Sequence, residues 1–225
     1  MPQPLSTKSE VGTFIFASSG LQAARPELAH RVAAVISAWA YLELDLGSSL
    51  SKLLESHGES GVAIIQAVVG NTSTQRKIVE SVANLRLSGE ERRLFMALLS
   101  IFGHLAKRRN EIVHGLWGLS PQLPDDLLLI RPIDLLRMNA AATRVVAEGG
   151  AVALGDLFAD RSHISVYTAQ ELDLLRDEIQ RLHDDFFDFW FFLRRPADDI
   201  REKHFRKLFE APHIREILER KGTAN

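Results

Sequence analysis

The segment Lys107-Arg108-Arg109-Asn110-Glu111-Ile112-Val113-His114-Gly115 holds the chain's most suggestive spacing of charged and polar side chains. With Ile101 set at zero and about 100° per residue, Leu94, Leu98, Phe102, Leu105, Ile112 and Val113 gather near 70°, and Arg109 falls at about 80° inside that apolar stripe. A guanidinium stays charged at every accessible pH, so burying it requires a carboxylate, a phosphate or several acceptors. Asn110 and His114 fall at about 180° and 220°, one turn apart on a flank outside the stripe, where both can act on one ligand. His114 occupies the last turn before Gly115, at the negative end of the helix dipole, a position that suits a phosphate-binding or proton-donating histidine.

A second charge stands on an apolar stripe. With Val32 at zero, the first long helix centres its apolar face near 340° and places Glu43 at about 20°. Each charge buried alone would cost roughly several kcal/mol, so Glu43 is expected to meet Arg109 across the fold, either fixing helix register or supporting a site.

These residues need long helices to position them. Pro26 suits a first helical turn, and Val32, Val35, Ile36, Trp39, Leu42, Leu46, Leu50 and Leu53 recur at helical spacing to about Ser56. A short apolar helix is read over 60–69, stopped by Gly70-Asn71, and Ser73 or Thr74 caps the next, through Ile78, Val82 and Leu85. Ser88-x-x-Glu91 reads as a capping box opening the helix that ends at His114, and Thr168-x-x-Glu171 as another opening a helix to about Arg194. Between them, Pro121, Pro124, Pro132 and Gly149-Gly150 punctuate short runs, of which Leu127 to Arg131 and Ile164 to Tyr167 look like strands. The reading is a mainly α fold, an antiparallel helical bundle with a small β-hairpin insertion and short C-terminal helices. Residues 1–24 form an N-terminal arm, 25–117 and 168–195 the bundle, 118–167 the inserted loop or hairpin, and 196–225 charged helices.

Arg109-Asn110-x-x-x-His114, ending a bundle helix before Gly115, resembles the Arg-x(4 to 6)-His signature of the HEPN superfamily (higher eukaryotes and prokaryotes nucleotide-binding), whose common form has Asn directly after Arg. The resemblance covers roughly residues 26 to 194, without the insertion and charged tail. It implies an all-α homodimer in which motifs from two protomers face each other. Active members are metal-independent endoribonucleases of toxin-antitoxin, abortive-infection and CRISPR-associated systems, so the expected partners are RNA and a neutralising or regulatory protein, with no cofactor and no metal. Carried over, Arg109 binds and polarises the scissile phosphate, Asn110 orients the histidine or phosphate, and His114 transfers a proton, with Lys107 and Arg108 as RNA-binding candidates on the rim. Such chemistry suits RNA, whose 2′-hydroxyl can attack the adjacent phosphorus. Other members have lost cleavage and bind nucleotide, RNA or protein, which is the alternative function.

Rival constellations are weaker. Glu27-x-x-His30 and Glu111-x-x-His114 have di-iron spacing, but helical angles turn both pairs away from the core faces. His183, Asp184, Asp185 and Asp188 read as a solvated acidic face. The run Phe186 to Leu193 is apolar on more than one side, marking core or a dimer contact. With 27 Lys and Arg against 29 Asp and Glu, no overall basic field gathers nucleic acid, so any such site is local; the excess of basic residues in 194–221 is modest. The absence of cysteine removes disulfides, thiolate metal sites and cysteine nucleophiles, and with no apolar run of signal or membrane length the expectation is a soluble, cytoplasmic, non-membrane protein.

Overall fold

A computed structural model of the chain describes residues 2–8, 11–12, 14–16, 20–55, 60, 63–64, 67, 72–149, 161–193 and 198–222. It is mainly helical, with one small antiparallel sheet. The helices are α1 (Leu21–Ala24), α2 (Pro26–Leu53), α3 (Thr72–Arg86), α4 (Gly89–His114), α5 (Pro132–Ala147), α6 (Ala169–Leu193), α7 (Asp198–Glu210) and α8 (Pro212–Gly222). The strands are β1 (Gln3–Pro4), β2 (Ile15–Phe16), β3 (Leu116–Ser120), β4 (Leu123–Ile130) and β5 (Ile164–Thr168). No described helix is long and apolar enough to cross a membrane. The expected helix over 60–69 lies mostly outside the described residues.

The chain divides into two compact units, Met1–Ile36 with Arg108–Arg176, and Ser37–Lys107 with Asp177–Asn225. In the first, the sheet runs β1-β5-β4-β3-β2, every neighbour antiparallel. Strand alternation gives it two apolar faces. One carries Leu128, Ile130, Ile164 and Val166, covered by Leu5 and Val11 and by Leu135 and Met138 of α5. The other carries Trp117, Leu127, Leu129 and Tyr167, also buried, with the Trp117 and Tyr167 rings edge to face at 6.2 Å.

The described residues among the first 24 do more than an arm would. Gln3 pairs with Val166, Ile15 with Leu119 and Phe16 with Gly118, so this segment supplies both edge strands. Strands of two residues hold by backbone pairing and leave no period to read. Within 118–167, α5 is also more than a hairpin insertion contains. Pro132 does not interrupt structure here; it takes the first helical position after the extended Arg131, where its missing N–H is no loss.

In the second unit, α2, α4 and α6 build an aromatic core. Trp39 and Phe102 lie 4.8 Å apart between ring centres, and Phe95 lies 5.0 Å from Phe189. Contacts between α2 and α6 advance together: Asp45 meets His183 at 2.7 Å and Ser49 meets Trp190 at 3.1 Å. These two helices therefore run parallel. Helix α4 opposes them, because Phe95 sits at the level of Phe189 while the later Phe102 sits at the earlier Trp39. The expected antiparallel order thus holds for α4 against its neighbours but not for α2 against α6. In the first unit α6 starts directly from the end of β5, whereas α4 runs into β3.

The acidic face expected on α6 is corrected. Asp185 and Asp188 are 7% and 5% exposed, because α7 and α8 cover them and bring counter-groups. His213 Nε2 stands 2.6 Å from Asp185, while His204 Nδ1 and Lys207 Nζ stand 2.8 and 2.6 Å from Asp188. Desolvated carboxylates persist where such partners replace water. Phe186, Phe189 and Phe192 of the aromatic run are core, and Phe187 is half exposed.

Candidate functional site

Helix α4 ends in a manner fixed by one residue. The Gly115 N–H donates to the Glu111 carbonyl at 2.9 Å, closing the last turn, and the next residue already begins β3. A Cβ at Gly115 would lie 2.1 Å from Leu129 Cδ1 and 2.7 Å from the Glu111 carbonyl oxygen. Only glycine lets the helix pass so closely over the sheet. His114, the residue before it, is therefore set on the last turn of a helix anchored directly to a strand.

Asn110 and His114 are both exposed, on the shared flank expected from their spacing. Arg109 is half-buried: its Nε is shielded from solvent, and Nη1 donates to Asn110 Oδ1 at 3.1 Å. The guanidinium and the amide thus form one hydrogen-bonded pair a turn before the histidine. Lys107 is exposed on the same helix and Arg108 half-buried. Glu43 is held inside its own unit, where it accepts from the Trp39 indole at 2.7 Å and from the Thr72 hydroxyl at 3.1 Å. Those two donors give its carboxylate a local reason to stand on an apolar stripe.

The rival metal spacing is not assembled. Glu27 and His30 are exposed, and Glu27 lies 3.6 Å from Arg31, one turn along its own helix. Among the described residues, no three His, Asp or Glu side chains converge as a metal would need.

Sequence reasoning missed the surroundings of the motif. Beside α4, within the first unit, lies a cavity of about 220 Å³ lined by Glu111, Arg131, Asp134, Ser162, His163 and Ser165. The Tyr167 hydroxyl donates to Glu111 Oε2 at 3.3 Å. Burial first, and then the Glu111 charge, push the Tyr167 phenol well above its usual range, so it stays a donor. Asp134, 2% exposed, accepts from Arg131 Nε at 2.5 Å, with Arg137 at 3.5 Å. Glu111 was visible in sequence only as part of a di-iron spacing. Its angle of about 280°, next to His114 at 220°, was the available signal for a shared flank.

No protein-family model, no curated protein and no solved structure matches this chain.

Proposed function

We propose that the chain is a HEPN-like, metal-independent endoribonuclease of bacterial defence or toxin type, acting in the cytoplasm as a homodimer through Arg109, Asn110 and His114. The observation that carries this reading is the Arg109–Asn110 hydrogen-bonded pair one helical turn before an exposed His114, on a helix end with no loop to loosen it. Positioning of this kind is where a phosphoryl-transfer site gains its rate.

In the proposed reaction the RNA 2′-oxygen bonds to the adjacent phosphorus as its proton passes to a base. The bond to the 5′-oxygen breaks and that oxygen takes a proton, leaving a 2′,3′-cyclic phosphate and a 5′-hydroxyl. His114 is the proton carrier, with His114 of a second protomer available for the opposite transfer across a dimer groove. Arg109 balances the charge growing on the non-bridging oxygens, and Asn110 holds its guanidinium in orientation. Lys107 and Arg108 stand on the same helix to take flanking phosphates, and a neutralising or regulatory protein would control the activity.

A second reading, a non-catalytic HEPN-like module that binds nucleotide, RNA or protein, draws on Arg109 itself. With Nε buried and Nη1 donating to Asn110, fewer of its donors face outward. The two readings part in one assay: end-labelled RNA with excess EDTA, incubated with the wild type and with His114→Ala, the folding of both being checked. Cleavage lost in the variant supports the ribonuclease. Absence of cleavage by either, across several RNAs, rejects it in favour of the binding module.

A further inference from the structure

Helix α4 presents Glu111 to the cavity of about 220 Å³ and, on the same flank, presents Asn110 and His114 to solvent. The opposite wall comes from the sheet. His163 and Ser165 alternate with Ile164 and Val166, which point into the other core, so the two polar residues face the side where Leu129 lies against the end of α4. Arg131 follows β4 on that side. The volume is below the roughly 300–1,000 Å³ of clefts that enclose a whole drug-sized ligand, and is on the scale of one planar ring system.

Of the charged groups lining this space, Glu111 and Arg131, of opposite sign, are each held at one point. Glu111 is pinned through one oxygen by Tyr167. Arg131 is pinned through Nε by the buried Asp134, which leaves the terminal guanidinium N–H groups to be aimed by that anchor. The carboxylate accepts two parallel N–H bonds, and the guanidinium donates two.

We infer that this cavity is a guanine-binding pocket adjoining His114. Guanine alone among the four RNA bases offers two neighbouring donors, N1–H and the N2 amino group, to a carboxylate, together with O6 and N7 acceptors to an arginine. Adenine would set the N1 lone pair against Glu111. Uracil offers a single N–H between two carbonyls, and cytosine an amino group beside a bare ring nitrogen. Unstacked bases are what such pockets read in single-stranded RNA. Recognition of the base stands on the cavity alone; its placement beside a scissile phosphate rests on the ribonuclease reading above.

Calorimetric titration of the full chain with guanosine, adenosine, cytidine and uridine 3′- and 5′-monophosphates tests the pocket. The guanosine nucleotides are expected to bind about tenfold tighter or more, the scale of one bidentate contact. Glu111→Gln, its fold checked by circular dichroism, is expected to bring guanosine down to the level of adenosine, and Tyr167→Phe to narrow the preference while leaving Glu111 in place. His114→Ala is expected to keep the preference. Equal binding of all four nucleotides, no binding of any, or a guanine preference that survives Glu111→Gln would overturn the pocket even if EDTA-resistant cleavage is found. Guanine-selective binding without cleavage would keep the pocket and remove the ribonuclease.

Discussion

His114 and Gly115 are neighbours whose substitution should fail in different ways. His114 is exposed, so His114→Ala is expected to leave the unfolding free energy from urea titration within about 0.5 kcal/mol of wild type. Under the ribonuclease reading it should reduce EDTA-resistant cleavage by about a hundredfold or more. Retained cleavage in that variant would remove His114 from the chemistry. Gly115→Ala would place its methyl group 2.1 Å from a buried Leu129 carbon and 2.7 Å from backbone oxygen. It should therefore cost about 1–3 kcal/mol in urea unfolding, an overpacking penalty, and an unchanged midpoint would show that the helix end yields more easily than its contacts suggest. At this scale the sequence disclosed what lies along one helix: the shared flank of Asn110 and His114 follows from a four-residue spacing. It did not disclose Arg131, Ser162 or His163, which reach Glu111 only once β4 and β5 pair. Convergence through strand register has no linear signature.

Among elements, those with a 3.6-residue apolar period were legible, and those defined by tertiary partners were not. Helices α2, α4 and α6 follow their stripes, and the capping box at α6 forms as its residues predict. The Glu171 N–H donates to Thr168 Oγ1 at 3.1 Å, and the Thr168 N–H to Glu171 Oε2 at 3.1 Å. Thr168→Ala should cost about 1 kcal/mol, read as a shift in unfolding midpoint, and no shift would mean the cap adds nothing to a helix already held by its core. The other box does not form as expected, because Glu91 instead accepts from Arg201 at 2.9 Å. Asp185 and Asp188 illustrate the harder case: a carboxylate's burial depends on which later helix arrives beside it, and α7 and α8 carry weak apolar signals of their own. Asp188→Ala would take away the acceptor shared by His204 and Lys207. It is expected to destabilise α7 by about 1 kcal/mol, since Lys207 is largely exposed, seen as faster hydrogen exchange in Asp198–Glu210 than in α4. Uniform exchange across both regions would argue against that anchoring.

For the whole molecule, stability should respond to acid through Asp45. Burial raises its carboxyl from 3.8 to about 6, against the opposing influence of His183 and Lys52. The folded state thus holds this proton more tightly than the unfolded chain, so the contribution is fully present below pH 4 and fades as pH rises toward 6. Asp45→Asn removes that titration. Relative to the variant, the wild type should lose up to about 3 kcal/mol of stability between pH 4 and 7 in urea titrations. A constant difference across that range would place the Asp45 carboxyl near its ordinary value. Mainly helical architecture was legible from the apolar period and the helix-capping signals. The division into units at 36/37, 107/108 and 176/177 was not, because each boundary falls inside an unbroken helix.

The junction at Gly115 also sets what lengths of chain this protein can tolerate. Most connections can gain or lose a residue because a loop absorbs the change. Between His114 and Leu116 there is only Gly115, so one inserted residue would either turn the histidine about 100° around the helix or shift β3 by one position. The second outcome would exchange the faces of Trp117 and Gly118, forcing the indole toward Phe16 and emptying its place beside Tyr167. Helix phase and strand phase are thereby counted from a common origin, and the chain cannot change length at that origin without moving one of them.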